Sequence, residues 1–224
     1  MNSIVKEKEY ISSKLGIPYE NLSQSYLRSE TALGTTTAIV HQLQAGRVPS
    51  PTATERLLSL NDEFVITHLF IGLKQIASDS PTAAQHDYAT VYTWYNPNVF
   101  SGTNATNVDA VYNASFSLTV DRRVYIPHFP VRAFLRVPDT QSGSYLEAAG
   151  TATTPAATFV GNDGYDSFPN GLYGFYPTDP IKIDGRQTLN AEINLNTSIV
   201  FDDSSNTVYT VLEARGYLLV NSKD

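Results

Sequence analysis

The sequence predicts an all-β fold, a sandwich or barrel preceded by a short helical arm. Three observations predict it. Tyr (14) and Phe (10) far outnumber Trp (1) and Met (1), and aromatic residues suit a pleated, half-buried surface. Apolar residues recur with a period of two from residue 61 onward. Several of these segments are separated by Gly, Pro, Asn and Asp clusters, which are typical of turns.

The first 50 residues differ from the rest and are expected to form a helical or extended arm. Ser3 is a suitable cap for a short helix, and Gly16 followed by Pro18 would end it. A second helical or extended piece is expected from Thr31 to Leu43, before glycine and proline residues break the chain between residues 46 and 51. We therefore divide the chain into an arm, residues 1–50, and a β domain, residues 51–224.

The first predicted strand, from residue 64 to residue 73, is apolar on both faces. Strict alternation places one set of side chains on one face, Phe64, Ile66, His68 and Phe70, and a second set on the other, Val65, Leu69, Ile71 and Leu73. Such a strand has to be covered on both sides, because neither face is suited to water. We expect the arm or another subunit to lie against it.

Three further segments are predicted before residue 139. Tyr88 to Tyr95 is rich in aromatic and β-branched residues and is expected to be a strand. Tyr112 to Val120 alternates apolar residues with Asn, Ser and Thr, which indicates a strand with one face in water. Val124 to Ile126 follows a polar turn, and Pro127 and Pro130 bracket a bend before Val131 to Val137, so a hairpin or a corner is expected.

The C-terminal part begins with a long segment of weak pattern. Residues 139–180 are rich in Gly, Ser, Thr, Ala and Pro and are expected to form surface loops or short strands. A strand at Ile181 to Ile183 and a turn at Asp184-Gly185 are followed by Leu189 to Leu195, which alternates with Asn and Glu. A long last strand is expected from Val208 to Val220, with Gly216 at a bulge or a close contact.

These segments amount to about eight strands, with a spacing of roughly 8 to 12 residues where the turns are clear. That number favours a single jelly roll, an antiparallel sandwich of eight strands. A compact double jelly roll is the alternative. It would need sixteen strands in residues 51–224, which leaves about 11 residues for each strand and its turn.

Composition and charge argue against several functions. The chain of 224 residues has 22 acidic and 15 basic residues, a net charge of -7, and no long run of either sign, which is unlike a surface that neutralises phosphates. There is no cysteine, so neither a disulfide framework nor a thiolate metal site is expected. The charged N-terminus and the lack of roughly 20 consecutive apolar residues lead us to expect a chain made as a soluble cytoplasmic product.

No local pattern indicates catalysis, and we expect no enzyme and no catalytic residues. The four histidines, His41, His68, His86 and His128, are too widely spaced for a local metal-binding pair. There is no nucleophile elbow, phosphate-binding loop or cysteine nucleophile. An enzymatic function would require residues far apart in the sequence to meet, for example Asp163 or Asp184 with His128.

Several polar groups are better interpreted as structural than as binding sites. Two acidic pairs, Asp163 with Asp166 and Asp202 with Asp203, are interpreted as turn residues rather than as a glycosidase site. The segment 162–166 has oxygen ligands around a Gly turn, but it lacks the remaining ligands of a calcium loop. We therefore expect no metal and no cofactor.

The order of five segments is familiar: residues 64–75, 92–100, 112–120, 137–141 and 211–221. In this order they resemble virion proteins of tailless icosahedral phages that infect Bacteroidetes, over roughly residues 60–224. The resemblance implies a jelly-roll capsid protein that self-assembles into an icosahedral shell around the genome. It also implies other copies of the chain and other virion proteins as partners.

We therefore expect a structural coat protein located in the virion and made in the cytoplasm of the host bacterium. No small-molecule substrate and no specific nucleic-acid sequence are expected, and contact with an internal membrane or with the genome is left open by the acidic charge. The alternative is a carbohydrate- or receptor-binding β-sandwich module, in which Tyr92, Trp94 and Tyr173 would form an aromatic platform.

Overall fold

The computed structural model describes residues 3–46, 52–93, 99–100, 103–135, 179–199 and 206–220. The strands are β1 (Ser23–Ala32), β2 (Thr36–His41), β3 (Glu63–Ile76), β4 (Val91–Tyr92), β5 (Ser115–Val120), β6 (Arg123–Pro130), β7 (Ile181–Asp184), β8 (Leu189–Ile199) and β9 (Thr207–Leu219). The helices are α1 (Ser3–Leu15), α2 (Ala83–Tyr88) and α3 (Thr103–Tyr112). Short 3-10 helices lie at Tyr19–Asn21 and Val131–Phe134. The predicted predominance of β-structure is confirmed.

The strands form two antiparallel sheets. In the first sheet the order is β1-β9-β3, and the far side of β3 pairs with β7 at its start and with β4 at its end. In the second sheet the order is β2-β8-β5-β6. One apolar cluster contains side chains of both sheets, among them Leu27, Ile71, Phe116 and Ile193. The two sheets therefore enclose a common core, as in an all-β sandwich.

The predicted boundary at residue 50 does not mark the start of the sheets, because residues before it belong to both of them. Residues 23–41, which we assigned to the arm, supply β1 to the first sheet and β2 to the second. The period-two signal of β1 is weak because its sequence is mostly polar, with Leu27 as its one large aliphatic residue. The helix predicted at Ser3 is present, and it ends before Gly16, whose φ is +68°.

The central strand, β3, is buried on both faces as predicted, but its faces are not those of strict alternation. A bulge lies between Ile66 and His68 in the pairing with β9. The extra residue reverses the phase, so that Phe64 and Ile66 before it and Leu69, Ile71 and Leu73 after it all belong to the common core. Val65, His68 and Lys74 consequently face away from the core.

Other predicted strands differ in extent. Tyr112 ends α3, so the strand predicted from Tyr112 begins only at Ser115, and Tyr88 ends α2 rather than beginning a strand. β6 continues through Pro127, where a bend was expected. Proline is tolerated there because β6 lies at an edge of the second sheet, where one side of the strand needs no ladder hydrogen bonds.

In the described part of the chain, no helix combines the length and the apolar character needed to cross a membrane.

The strands predicted after residue 180 are confirmed, and so is the close contact predicted at Gly216. Gly216 has a φ of +157°, and a Cβ atom added there would lie 1.8 Å from the carbonyl oxygen of Val65. Only glycine lets β9 approach β3 this closely.

Replacing Gly216 by Ala is expected to lower the free energy of unfolding by about 2 kcal/mol or more, because the new methyl group overlaps the backbone of β3. Urea denaturation followed by fluorescence measures the change. Gly34→Ala is the matched control, since a Cβ at Gly34 meets nothing within 4 Å. Equal midpoints for the two variants would contradict the close-contact interpretation.

Candidate functional site

The outer face of the first sheet, which points away from the core, is covered at both ends. At one end α1 packs on β3 and β9, with Ile11 against Val65 and Tyr217 in a second apolar cluster. At the other end the segment 52–58 and α2 lie over the sheet. The segment is fixed by two backbone hydrogen bonds between Arg28 and Arg56, of 2.8 and 2.9 Å.

Beneath the segment 52–58 and α2 lies a set of polar side chains, which we call the Glu30 cluster: Glu30, Lys74, His86, Arg28, Thr52 and Thr54. Glu30 is on β1 and Lys74 is on β3, with β9 between them. The side chains of Glu30 and Lys74 have no exposed surface, and Lys74 Nζ donates to Glu30 Oε2 in an ion pair. Two opposite charges are thus removed from water together.

The two oxygens of Glu30 have different partners. Oε1 accepts from Thr54 Oγ1 at 2.5 Å and from Arg28 Nε at 2.9 Å, and Arg28 Nη2 is 2.6 Å away. Oε2 accepts from Thr52 Oγ1 at 3.1 Å as well as from Lys74. Each oxygen of the carboxyl group is therefore held by donors from two different segments of the chain.

The cluster changes the acidity of its charged members. Burial by itself raises the pKa of Glu30, but the hydrogen bonds from Lys74 and Thr54 and the charges of Arg28 and Lys74 outweigh it and lower that pKa to about 2. Burial lowers the pKa of Lys74, and the contact with Glu30 opposes that shift. The amine of Lys74 is thus easier to deprotonate than an exposed lysine.

His86 completes the cluster from above. Its Nδ1 atom is 3.0 Å from Lys74 Nζ and 3.3 Å from Glu30 Oε2, and its ring meets the ring of Tyr209 edge to face at 5.1 Å. The helix that carries it, α2, begins with a capping box between Thr82 and Gln85. A six-residue helix therefore positions an imidazole within reach of both the amine and the carboxyl group.

The opposite end of the outer face holds α1. Tyr217 Oη donates to Glu7 Oε2 at 2.9 Å, and His68 Nδ1 lies 3.9 Å from Glu7 Oε1. Lys8 lies over the Tyr217 ring. The expectation that another element covers the first predicted strand is met here by α1 of the same chain, which buries Val65.

A second polar group lies between the two sheets. His41 on β2 has no exposed surface, and its Nε2 is 3.1 Å from Thr210 Oγ1 on β9 of the other sheet. Burial lowers the pKa of His41 to about 4, although a hydrogen bond with the backbone of Ser29 and the charge of Glu30 act against it. His41 is therefore neutral at pH 7.

The structure places the two described residues that were weighed for catalysis, Asp184 and His128, in different sheets. Asp184 Oδ1 accepts from the backbone of Arg186 in the turn after β7, whereas His128 is exposed on β6 of the other sheet. Asp163, Asp166, Asp202 and Asp203 lie outside the described residues, as does the whole segment 162–166. Among the described residues there is no group of three potential metal ligands.

The aromatic platform of the alternative function is described only in part. Tyr92 packs against the common core and meets Phe100 edge to face at 5.9 Å. Trp94 and Tyr173 lie outside the described residues. Tyr92 therefore contributes to packing against the core.

Sequence reasoning did not find the Glu30 cluster. The available signal was Lys74, a charged residue that directly follows the apolar run 69–73 of the same strand, because such a lysine needs a buried partner. Nothing local identified Glu30 as that partner, since it is 44 positions away.

No protein-family model and no curated protein matches this chain.

Ile11→Ala is expected to loosen α1, because the side chain at the centre of its apolar contact is lost. A loss of about 2 kcal/mol in the free energy that holds α1 on the sheet would raise the population with α1 undocked about 30-fold. The rate of tryptic cleavage after Lys14 measures this population. Ile4→Ala is the control, since Ile4 is 39% exposed, and its cleavage rate should stay near that of the wild type. Equal rates for both variants would contradict the docking.

The free energy of unfolding is expected to fall as the pH drops from about 6.5 to about 4. His41 is protonated in the unfolded chain within this window but stays neutral in the fold, so the unfolded state binds more protons and gains stability on acidification. The contribution is on the order of 3 kcal/mol. Urea denaturation at several pH values should show a flatter profile for His41→Gln. An unchanged slope would overturn the assignment.

Proposed function

We propose that the described strands form a single jelly roll. If β4, a two-residue strand, is set aside, the remaining eight strands pair in a nested order: β1 with β9, β2 with β8, β3 with β7, and β5 with β6. The first of these eight strands pairs with the last, the second with the second to last, and so on to the two central strands. A long antiparallel ribbon rolled into two sheets has this order, and the jelly roll is built in that way.

On this fold, the function we infer is that of a structural coat protein of a bacterial virus, which self-assembles into a closed shell. The nested pairing is the observation that carries the proposal, because jelly rolls are recurrent in viral capsids, as they are in lectins and cupins. The resemblance of residues 60–224 to phage virion proteins favours the capsid among these three. A shell also requires a subunit that presents the same contact surfaces many times.

The edges of the second sheet offer such surfaces. β2 and β6 are its outermost strands within the described part of the chain. Each exposes a valine, Val40 at 42% and Val124 at 54%. Exposed apolar side chains on these strands favour side-chain contact with another copy of the chain. We therefore place subunit contacts at these edges.

The outer face of the second sheet suits contact with water instead. β5 presents Ser115, Ser117 and Thr119 on this face, and the register sets Asn194, Glu192 and Asn190 of β8 beside them. These side chains are polar and mostly uncharged, so they give little support to an extended contact. The register also sets Val40 beside Glu192 and Val124 beside Thr119, so the two exposed valines border this polar face on its edge strands. The contrast between the polar centre of the face and its apolar borders favours lateral association of subunits.

The charge of the chain bears on its partners. With a net charge of -7, a subunit does not offer the cationic surface that holds packaged DNA tightly. Within the proposed shell, the genome is therefore contacted weakly, or another layer such as an internal membrane or a further virion protein lies between them. Assembly then depends on contacts between protein subunits.

Val124→Glu is expected to shift the protein from oligomers to monomers, because a carboxylate buried in the contact at β6 opposes packing against a neighbouring copy. Sedimentation velocity over a wide concentration range measures the distribution, and electron microscopy shows whether particles form. Asn190→Glu places the same charge on the polar face of β8 and should leave assembly unchanged.

Two results would argue against the proposal. A wild-type protein that remains monomeric at every concentration would remove the coat function itself. A Val124→Glu variant that is folded by circular dichroism and assembles like the wild type would leave the coat function intact but remove the edge contact.

A further inference from the structure

We propose that Lys74 and Glu30 become joined by an amide bond, formed by the chain itself between the side-chain amine and the side-chain carboxyl group. The inference is independent of the coat function. It rests on the contact between the two groups, on their complete burial, and on the arrangement of Arg28, Thr54 and His86 around them.

The dry environment makes the reaction accessible. Burial by itself favours the neutral forms of both groups, whereas the donors around Glu30 favour its carboxylate, so the ion pair is the resting state and the neutral pair is a minor state from which the reaction starts. Transfer of one proton from Lys74 Nζ to Glu30 Oε2, along their hydrogen bond, gives a neutral amine and a neutral carboxylic acid. These are the forms that react, since the amine then has a free electron pair and the carboxyl carbon no longer belongs to an anion.

The partners of Glu30 Oε1 are placed where negative charge would develop. When Nζ attacks the carboxyl carbon, the electron pair of the C=O bond moves onto Oε1. Thr54 Oγ1 at 2.5 Å and Arg28 Nε at 2.9 Å already donate to this oxygen. They therefore form an oxyanion hole built from one hydroxyl group and one guanidinium group.

His86 is placed to move the second proton from the amine to the leaving oxygen. Its Nδ1 is within reach of both the attacking nitrogen, at 3.0 Å, and the leaving oxygen Oε2, at 3.3 Å. It accepts a hydrogen bond from Lys74 in the starting state, so it is free to take the proton that Nζ loses. The same atom then delivers that proton to Oε2.

The step balances without any other reactant. The C–N bond forms between Glu30 Cδ and Lys74 Nζ, and the C–O bond from Cδ to Oε2 breaks. Oε2 carries the proton transferred from Nζ at the start, gains the second proton from His86, and leaves as water, while the C=O bond to Oε1 forms again. Amine and carboxylic acid give amide and water, and His86 ends in the state in which it began.

The product would link β1 to β3 across β9. β9 lies between these strands and pairs with both, so the bond closes a covalent loop over the outer face of β9. In a chain without cysteine, it would supply the kind of cross-link that a disulfide supplies elsewhere.

Intact-mass spectrometry of the denatured full-length protein tests the proposal. We expect a mass lower than that of the sequence by one water molecule. Tryptic digestion should then fail after Lys74 and give a branched product, in which the peptide 29–47 is attached to the peptide 57–122. A protein with the full sequence mass would overturn the proposal.

Variants identify the bond. Lys74→Arg keeps a cation but has no nucleophilic amine, so its mass should be that of its sequence. Lys182→Arg is the matched control, because Lys182 forms a 2.9 Å ion pair with Glu63 on the same sheet but is half-exposed, and the loss of water should persist. Loss of water that survives Lys74→Arg would overturn the assignment to this pair.

Discussion

The burial of β3 on both faces is the constraint on which the rest of the structure depends. Its inner face forms the centre of the core shared by the two sheets, and its outer face needs separate cover along its whole length. Helix α1 supplies that cover at the start of the strand, and α2 with the segment 52–58 supplies it at the end. The elements outside the sandwich are therefore part of the fold, since removing them would expose apolar and charged groups together.

The sequence allowed correct predictions where apolar residues alternated clearly with a period of two. It also did so at Gly216, where the backbone leaves room for glycine alone. The alternation of Phe116, Leu118 and Val120, and that of Leu189 to Leu195, identified strands with one polar face. Gly216 was found because glycine within a strand indicates close approach. β1 was not recognised, because a strand that carries Ser29 and Glu30 in buried positions has no simple apolar pattern.

The bulge at Thr67 shows a different limit of sequence reasoning. Apolar residues occupy both phases of the strand, so the pattern is compatible with continuous alternation and with a reversal of phase at any point. The pairing with β9 decides the matter, and it depends on residues about 150 positions away, as in the 148-position separation of Thr67 and Arg215. The Glu30 cluster was missed for the same reason, since its members come from β1, β3, α2 and a connecting segment.

The position of β9 in the middle of the first sheet has a consequence for the synthesis of the protein. β1 and β3 both lack the strand that lies between them until residues near 210 have left the ribosome, as the contact of Thr31 with Thr210 across 179 positions illustrates. Contacts of such length slow folding, because the chain has to close large loops before it gains any burial. In a nascent chain the first sheet would lack its central strand, and the strands beside the gap would have unpaired edges. The contact surfaces of the folded subunit would therefore form only after β9 has been synthesised.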